Sequence, residues 1–298
     1  MKRMSLRAMT DGQITNHLYQ QALKTLRFAD PILSRFHVGA AALVRGRRGG
    51  LRVVMGKNSE YRHRDAIHAE ENVAANMKPG EKILRLVTVG QNQLPLAPCG
   101  GCREVLLTKA ADGAEVLVRR GSGSDELVPL QDLLPNTYDL VEDESYLVLN
   151  GNSYRLYQMA LRQTQSQMYN PYTGLVRAAA VTTSAGAKFA ASGVEYADYH
   201  HSHAVAIALG MAHASRQIEI AGALYLHDQE TGPIFPCGKC RQKLFESSQV
   251  AEVDFSVVSA TVDGQLWYST AQKLLPDSFG PRDLGIDVAR YLDLVNKD

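Results

Sequence analysis

The sequence predicts an α/β protein built as two three-layer α/β/α domains in tandem, each a mixed sheet flanked by helices. Two observations predict it. Short strand-like runs alternate with helix-like runs, and the series of runs and motifs occurs twice in one order. VGAAALV at 38–44 and RAAAVTT at 177–183 are small-residue strands, preceded by Pro31 and Pro171. Glu60-Tyr61 recurs as Glu195-Tyr196 and His68-Ala69 as His203-Ala204, both at an offset of 135. PCGGCR at 98–103 recurs as PCGKCR at 236–241, an offset of 138, and Leu133-Leu134-Pro135 as Leu274-Leu275-Pro276, an offset of 141. A period this long does not suit a solenoid and means two copies of one domain. The domains are read as 1–150 and 151–298.

The elements follow in order. Gln13 to Ala29 is an expected helix. Strands follow at 38–44 and 51–56, then a polar loop to His68 and a helix from about 68 to 78. ILRLVTVG at 83–90 is apolar enough for a strand buried between helices. Pro98 marks a helix start, because proline is tolerated in the first turn, and AEVLVRR at 114–120 is the next strand. The second copy repeats the series with IAGALYLH at 220–227, a helix from Pro236 and VDFSVVSAT at 253–261. Its first helix is expected to begin within the hinge between Asn150 and Asn170.

Composition excludes several function classes. The 298 residues carry 32 Lys plus Arg against 31 Asp plus Glu, a net charge of +1. Such a balance offers no electrostatic footprint for nucleic acid or an anionic membrane. No apolar run approaches the roughly 20 residues of a membrane span. MKRMSLRAMTDGQ has basic residues without an apolar core behind them, so no signal peptide is expected. The four cysteines form two Cys-x-x-Cys pairs, Cys99 with Cys102 and Cys237 with Cys240. In a chain of this length without an export signal, such pairs read as metal ligands or redox sites rather than disulfides.

The sharpest feature is His-Ala-Glu at 68–70, followed by Pro-Cys-x-x-Cys at 98–102. A catalytic zinc takes three protein ligands and keeps one position open. His68, Cys99 and Cys102 supply one nitrogen and two sulfurs, and two thiolates with a neutral imidazole balance the charge of Zn²⁺. At a helix start both thiols sit at the positive end of the dipole, which favours the thiolate. In mid-helix His68 and Glu70 would point about 200° apart, so they converge only at a helix entrance. Glu70 would then not bind the metal but carry a proton from water to substrate. His-x-Glu with Pro-Cys-x-x-Cys is also the signature of zinc deaminases acting on nucleobases. Read alone, a Cys-x-x-Cys pair is equally a structural zinc half-site or a redox pair, and a lone His before an apolar run is a cap or core residue. The joint pattern is what favours the zinc site.

With these motifs in hand, the chain resembles the cytidine deaminase family over nearly its whole length. RFHVGAAAL at 35–43 is similar to the family's F-x-V-G-A-A strand, GKNSEY at 56–61 to its G-x-N-x-E segment, and LLPDSFGPRDLGI at 274–286 to its C-terminal ending. The resemblance implies tandem cytidine-deaminase-like domains with an active first copy and a degenerate second one. It implies zinc-dependent deamination of cytidine or 2′-deoxycytidine, one catalytic zinc per chain, a cytoplasmic homodimer, and a nucleoside rather than nucleic acid or membrane as partner. Residue by residue, Asn58 and Glu60 match the pair holding the ribose hydroxyls, Phe36 the aromatic against the pyrimidine, and the Ala69 main chain the contact to the base carbonyl. Arg103 matches an arginine that bonds a ligand thiolate, its plain alternative being a solvated helix residue. Phe279 matches an aromatic that closes the pocket.

The chain departs from the pattern in the charged loop Arg62 to Asp65 and at Asn136-Thr137-Tyr138, where Phe-Gly-Pro would follow. Both bear on which nucleoside is used. Another aminated nucleoside, a nucleotide or a nucleoside antibiotic is the alternative substrate; an inactive zinc- and nucleoside-binding regulatory protein is the alternative class. In the second copy His203, Cys237 and Cys240 keep the ligand positions, for a second, structural zinc or an idle site, while Val205 replaces the proton carrier. Gly193 stands where Asn58 stands in the first copy, and Arg177 where Val38 stands.

Overall fold

A computed structural model of the chain describes residues 5–61, 66–120, 123–135, 139–140, 151–166, 169–197, 201–228 and 234–288. The fold is the expected one: two mixed sheets, each flanked by helices. The chain divides into two compact units. The first is Met1–Leu134 with Pro276–Phe279, the second Pro135–Leu275 with Gly280–Asp298. Pro276–Phe279, which follows the second Leu-Leu pair, is therefore part of the first unit. The sequence-derived boundary at 150/151 falls beside residues 141–150, outside the described residues, and remains a proposal.

In the first unit α1 spans Asp11–Leu26 and begins in a capping box: Thr10 Oγ1 accepts from Gln13 N and Gln13 Oε1 accepts from Thr10 N, satisfying two backbone donors at the helix entrance. The strands are β1 (Val38–Arg45), β2 (Leu51–Lys57), β5 (Lys82–Gly90), β6 (Ala110–Arg119) and β7 (Asp125–Pro129), in the order β2-β1-β5-β6-β7. Only β5 and β6 run parallel. Two-residue strands β3 (Ser59–Glu60) and β4 (Ala66–Ile67) form a ribbon ahead of α2 (Ala69–Ala75). Helix α3 spans Gly100–Lys109.

Side chains alternate across the sheet as the pleat requires. Ala41, Leu43, Val87 and Val89 pack with Leu18 and Ala22 of α1. Ala40, Ala42, Leu86 and Val116 pack on the other side with Ala69 and Val73 of α2 and Leu106 of α3. Full burial of each large aliphatic contributes about 1.5–3 kcal/mol. Small strand residues let helices lie close, and two glycines set the limit. A methyl on Gly39 would come within 2.3 Å of Ala22 O in α1, and one on Gly56 within 2.1 Å of Ala69 O in α2.

The second unit repeats this plan. Helix α4 (Gly151–Ser166) precedes β9 (Arg177–Thr183), β10 (Lys188–Ser192), the ribbon β11 (Val194–Glu195) with β12 (His201–Ser202), α5 (Ala204–Ala214), β13 (Ile220–His227), α6 (Gly238–Ala251), β14 (Ser256–Thr261) and β15 (Leu266–Thr270). The sheet order is β10-β9-β13-β14-β15-β8, where β8 is Asp139–Leu140, paired antiparallel to β15. Leu156 and Ala160 of α4 cover one face with Ala178, Ala180, Leu224 and Leu226. Ala204, Val205 and Ala208 of α5 and Leu244 of α6 cover the other.

The helix starts expected at Pro98 and Pro236 lie two residues later. Cys99 and Cys237 are extended N-caps, with ψ of 163° in both, so the helices open at Gly100 and Gly238. The helix expected from 68 to 78 is shorter, because Asn76 already serves as C-cap. The strand expected at 253–261 begins at Ser256, not Val253, after the left-handed Glu252 ends α6. Among the described residues no helix is long and apolar enough to cross a membrane.

Candidate metal centre

His68 is held just off the helix that follows it. Its backbone is extended, with φ −72° and ψ 157°, and its N–H donates to Glu71 Oε2 at 2.9 Å. That bond fixes where α2 begins. Glu70, in the first turn, can therefore share a site with a residue two positions earlier. On α3, Cys99 is the N-cap and Cys102 lies one turn on. His68 Nδ1 lies 3.4 Å from Cys99 Sγ and 3.3 Å from Cys102 Sγ. Around one tetrahedral zinc, with Zn–N about 2.1 Å and Zn–S about 2.3 Å, nitrogen and sulfur would stand about 3.6 Å apart. Both nitrogen–sulfur separations fit such an ion within a few tenths of an ångström, and all three ligand atoms lie within 4.8 Å of one another.

Glu70 is 5% exposed. The Cys102 thiol donates to its Oε2 at 3.6 Å. Burial, the largest cause, pushes the Glu70 carboxyl above the usual range, and the nearby Cys99 thiolate adds to this. The hydrogen bond from Cys102 brings Cys99 down to about 4, and the same bond, with burial, pushes Cys102 up. The hydrogen bond to Cys99 raises His68 to about 9, against the opposing effect of burial. The cluster thus carries a cationic proton load between one thiolate and a buried carboxyl, the load a divalent cation would displace.

The other expected residues of the first unit are placed as follows. The Asn58 amide brackets the entry to β1: Oδ1 accepts from Val38 N at 2.9 Å and Nδ2 donates to Phe36 O at 2.8 Å. Glu60 accepts from Leu33 N, Ser34 N and Ser34 Oγ at 2.7, 2.8 and 2.5 Å. These bonds outweigh desolvation, the largest single cause, and hold its carboxyl below the usual value. Phe36 faces Phe279 with ring centroids 5.6 Å apart, both within the first unit. Ala69 is fully buried at the first position of α2. The loop Arg62 to Asp65 and residues 136–138 lie outside the described residues.

Arg103 is not a solvated helix residue; it is fully buried. Its Nε donates to Pro98 O at 2.7 Å, Nη1 to Leu133 O at 2.5 Å and Pro276 O at 2.6 Å, and Nη2 to Asp277 O at 2.9 Å. Arg241 repeats the pattern, donating to Pro236 O, Leu274 O and Pro135 O at 2.7, 3.2 and 2.7 Å. The repeated Cys-Arg dipeptide and the repeated Leu-Leu-Pro were each visible in the sequence, but not that one binds the other.

Sequence reasoning also missed Ser34 as the partner of Glu60. The signal was present in the second copy, where Glu195 accepts from Tyr172 N and Thr173 N at 2.9 and 3.1 Å and from Thr173 Oγ1. It missed Gly56, which seats the helix carrying Glu70, and Thr88, a buried residue whose Oγ1 has no hydrogen-bond partner among the described residues.

In the second unit His203 Nδ1 lies 3.1 Å from Cys237 Sγ and 3.3 Å from Cys240 Sγ. These three residues and the His68 set are the two groups among the described residues that could hold a metal ion. Val205 occupies the position of Glu70 and is buried in the apolar core.

No family model matches the chain. Among solved structures, it is similar to a cytidine deaminase from Burkholderia pseudomallei, 32% identical, over 42% of this chain and 98% of that one, with a TM-score of 0.39. It is also similar to a cytidine deaminase from Mycobacterium tuberculosis, 33% identical, over 44% of this chain and 100% of that one, with a TM-score of 0.36. The site and this identity define a deaminase type of protein with two His-Cys-Cys groups that could hold a metal ion. By identity across essentially the whole length of those two enzymes, the chain belongs to the cytidine deaminase family. The matched share is about one repeat, and membership supports a hydrolytic deaminase role.

Proposed function

We propose that the first unit hydrolyses cytidine or 2′-deoxycytidine to uridine or 2′-deoxyuridine with release of ammonia, using one zinc held by His68, Cys99 and Cys102. The observation that carries this reading is the convergence of those ligands with a buried carboxyl, Glu70 Oε2, 3.6 Å from Cys102 Sγ. Bound zinc supplies Lewis acidity that brings the pKa of water to about 7.

The remaining work falls to the protein. Glu70 takes a proton from the attacking water, passes it to ring N3, and carries the next to the departing amine, so that water adds at C4 and ammonia leaves. Burial raises its pKa above the usual carboxyl range, which suits a group that must both take up and release a proton. Phe36 and Phe279 form an apolar wall for the pyrimidine. The Ala69 N–H, at a helix start where backbone donors lack helical partners, meets the base carbonyl. Asn58 uses one N–H and one lone pair on the chain, and an amide has two of each, so one of each is left for a ribose hydroxyl. Glu60 shapes the loop beside it and shares the ribose. Arg103 braces the start of α3 and thereby a ligand thiolate. On the same reading the protein is a cytoplasmic homodimer acting in pyrimidine salvage.

The test is ammonia release across a panel of cytidine, 2′-deoxycytidine, cytidine nucleotides and other aminated nucleosides. Turnover of cytidine or 2′-deoxycytidine above the others supports the proposal. Turnover of another amino-base alone replaces the substrate, and binding of nucleosides without any ammonia release refutes the enzyme.

A further inference from the structure

The second unit contains a cavity of about 340 Å³ beside His203, Cys237 and Cys240. That volume lies within the range of small-molecule sites, about 300–1,000 Å³. We propose that this cavity is a second, metal-anchored binding site that holds an uncharged, nucleoside-sized heteroaromatic ligand without hydrolysing it.

Around this cavity the two units match at some corresponding positions and differ at others. The donor set is intact, with imidazole nitrogen and both sulfurs spaced as in the first unit. Loop bracing is intact too, since Glu195 holds Tyr172 and Thr173 as Glu60 holds Leu33 and Ser34. Where Asn58 brackets residues 36 and 38, Gly193 carries no side chain. An ion pair does that bracketing instead: Asp228 Oδ2 accepts from Val176 N at 3.2 Å, Arg177 Nη1 donates to Val176 O at 2.8 Å, and Arg177 meets Asp228 Oδ1 at 3.2 Å. Loss of the asparagine has left room. A Cβ built on Gly193 would meet nothing nearer than 3.8 Å.

The proton carrier is what the second unit lacks. Val205 is packed in the core and cannot exchange a proton. Tyr225 opposes Ala179 in the sheet as Thr88 opposes Ala40, so an aromatic ring now stands at the cavity wall where the first unit has a small hydroxyl. Phe235 and Leu175 line the same cavity. Flat apolar walls suit a heteroaromatic ring. Arg177 is paired with Asp228, and the Glu195 carboxylate is held by three donors of Tyr172 and Thr173, so neither charge is left for a ligand and the cavity favours one without net charge. Without a general acid–base group, worth about 10²–10⁴-fold in rate, such a ligand would leave as it came.

The choice of a nucleoside-like ligand rests on the function proposed above; the metal does not. The experiment uses the full chain and two readouts that need no turnover. Zinc content should be two per wild-type chain, and one in either C99S/C102S or C237S/C240S. One zinc in the wild type, unaffected by C237S/C240S, overturns the metal site. Calorimetric titration with uridine, which is not consumed, should show one site fewer in Gly193→Leu than in the wild type, with zinc content unchanged. Equal uridine stoichiometry in the two overturns the ligand site. Gly193→Leu leaves all six candidate metal ligands in place, so this arm stands even if the cysteine variants fail to fold. If deamination fails while both counts hold, the second site survives and the first unit's activity does not.

Discussion

Gly56→Ala is the substitution that most directly joins the sheet to the chemistry. A Cβ at residue 56 would lie 2.1 Å from Ala69 O and 2.6 Å from Val73 N, where ordinary contact begins at 3.4 Å. The difference, 3.4 − 2.1, means that the strand and α2 must part by 1.3 Å at this point. Backbone atoms, not a flexible side chain, would have to move. Ala69 sits between His68 and Glu70, so the shift carries both away from Cys99 and Cys102 on α3. Misplacing catalytic groups by about 1 Å can cost about 10²-fold in rate, and overpacking costs about 1–3 kcal/mol of stability. The second unit supplies the contrast, because Ala191 opposes Ala179 as Gly56 opposes Ala40 and its methyl is accommodated. The assay is kcat for ammonia release from cytidine, with zinc content and chemical denaturation on the same sample. A fall in kcat near 10²-fold with modest destabilisation is expected. A Gly56→Ala protein with wild-type kcat and wild-type denaturation midpoint would refute the claim that this contact sets the site.

Arg103→Ala should lower stability by about 3 kcal/mol or more, since four carbonyls lose their donor in a buried place; denaturant titration measures it, and Arg103→Lys should not restore it, because one ammonium cannot replace a planar fork. Arg52 donates to both carboxylate oxygens of Glu81, at 2.7 and 2.6 Å, and Lys78 N donates to one of them, holding its pKa at about 2. A depressed folded-state pKa gives stability that is present above the ordinary value of 4.5 and lost as pH falls toward about 2. The stability gap between wild type and Glu81→Gln should therefore be full at neutral pH and narrow below 4.5 in pH-dependent denaturation. Asn58→Ala removes the bracket on residues 36 and 38 and should raise KM for cytidine more than it lowers kcat, as steady-state kinetics will show.

The features legible from sequence were those fixed by local chemistry. Alternating small residues gave the central strands, and the paired motifs gave the two repeats and the His–Cys–Cys sets. Helix ends were less legible. Pro98 and Pro236 suggested starts two residues early because each is followed by an extended cysteine, a backbone state that side-chain type does not announce. The sequence leaves Arg103 open between a thiolate partner and a solvated helix residue, because its burial depends on carbonyls from residues 133, 276 and 277, remote in the chain. Glu60 was read for a ligand contact, yet most of its visible bonding shapes the chain at Ser34. The same bonding at Glu195, in the copy without the proton carrier, explains why the glutamate recurs there and the asparagine does not.

The central claim is that Glu70 carries the proton and does not hold the metal. Glu70→Gln keeps the size of the side chain and removes its capacity to cycle a proton. Measured together on one preparation, zinc per chain and the rate of ammonia release from cytidine separate the two roles. Wild-type zinc content with turnover reduced by about 10²-fold or more is the expected result. Conversion of cytidine to uridine at the wild-type rate by Glu70→Gln would contradict it.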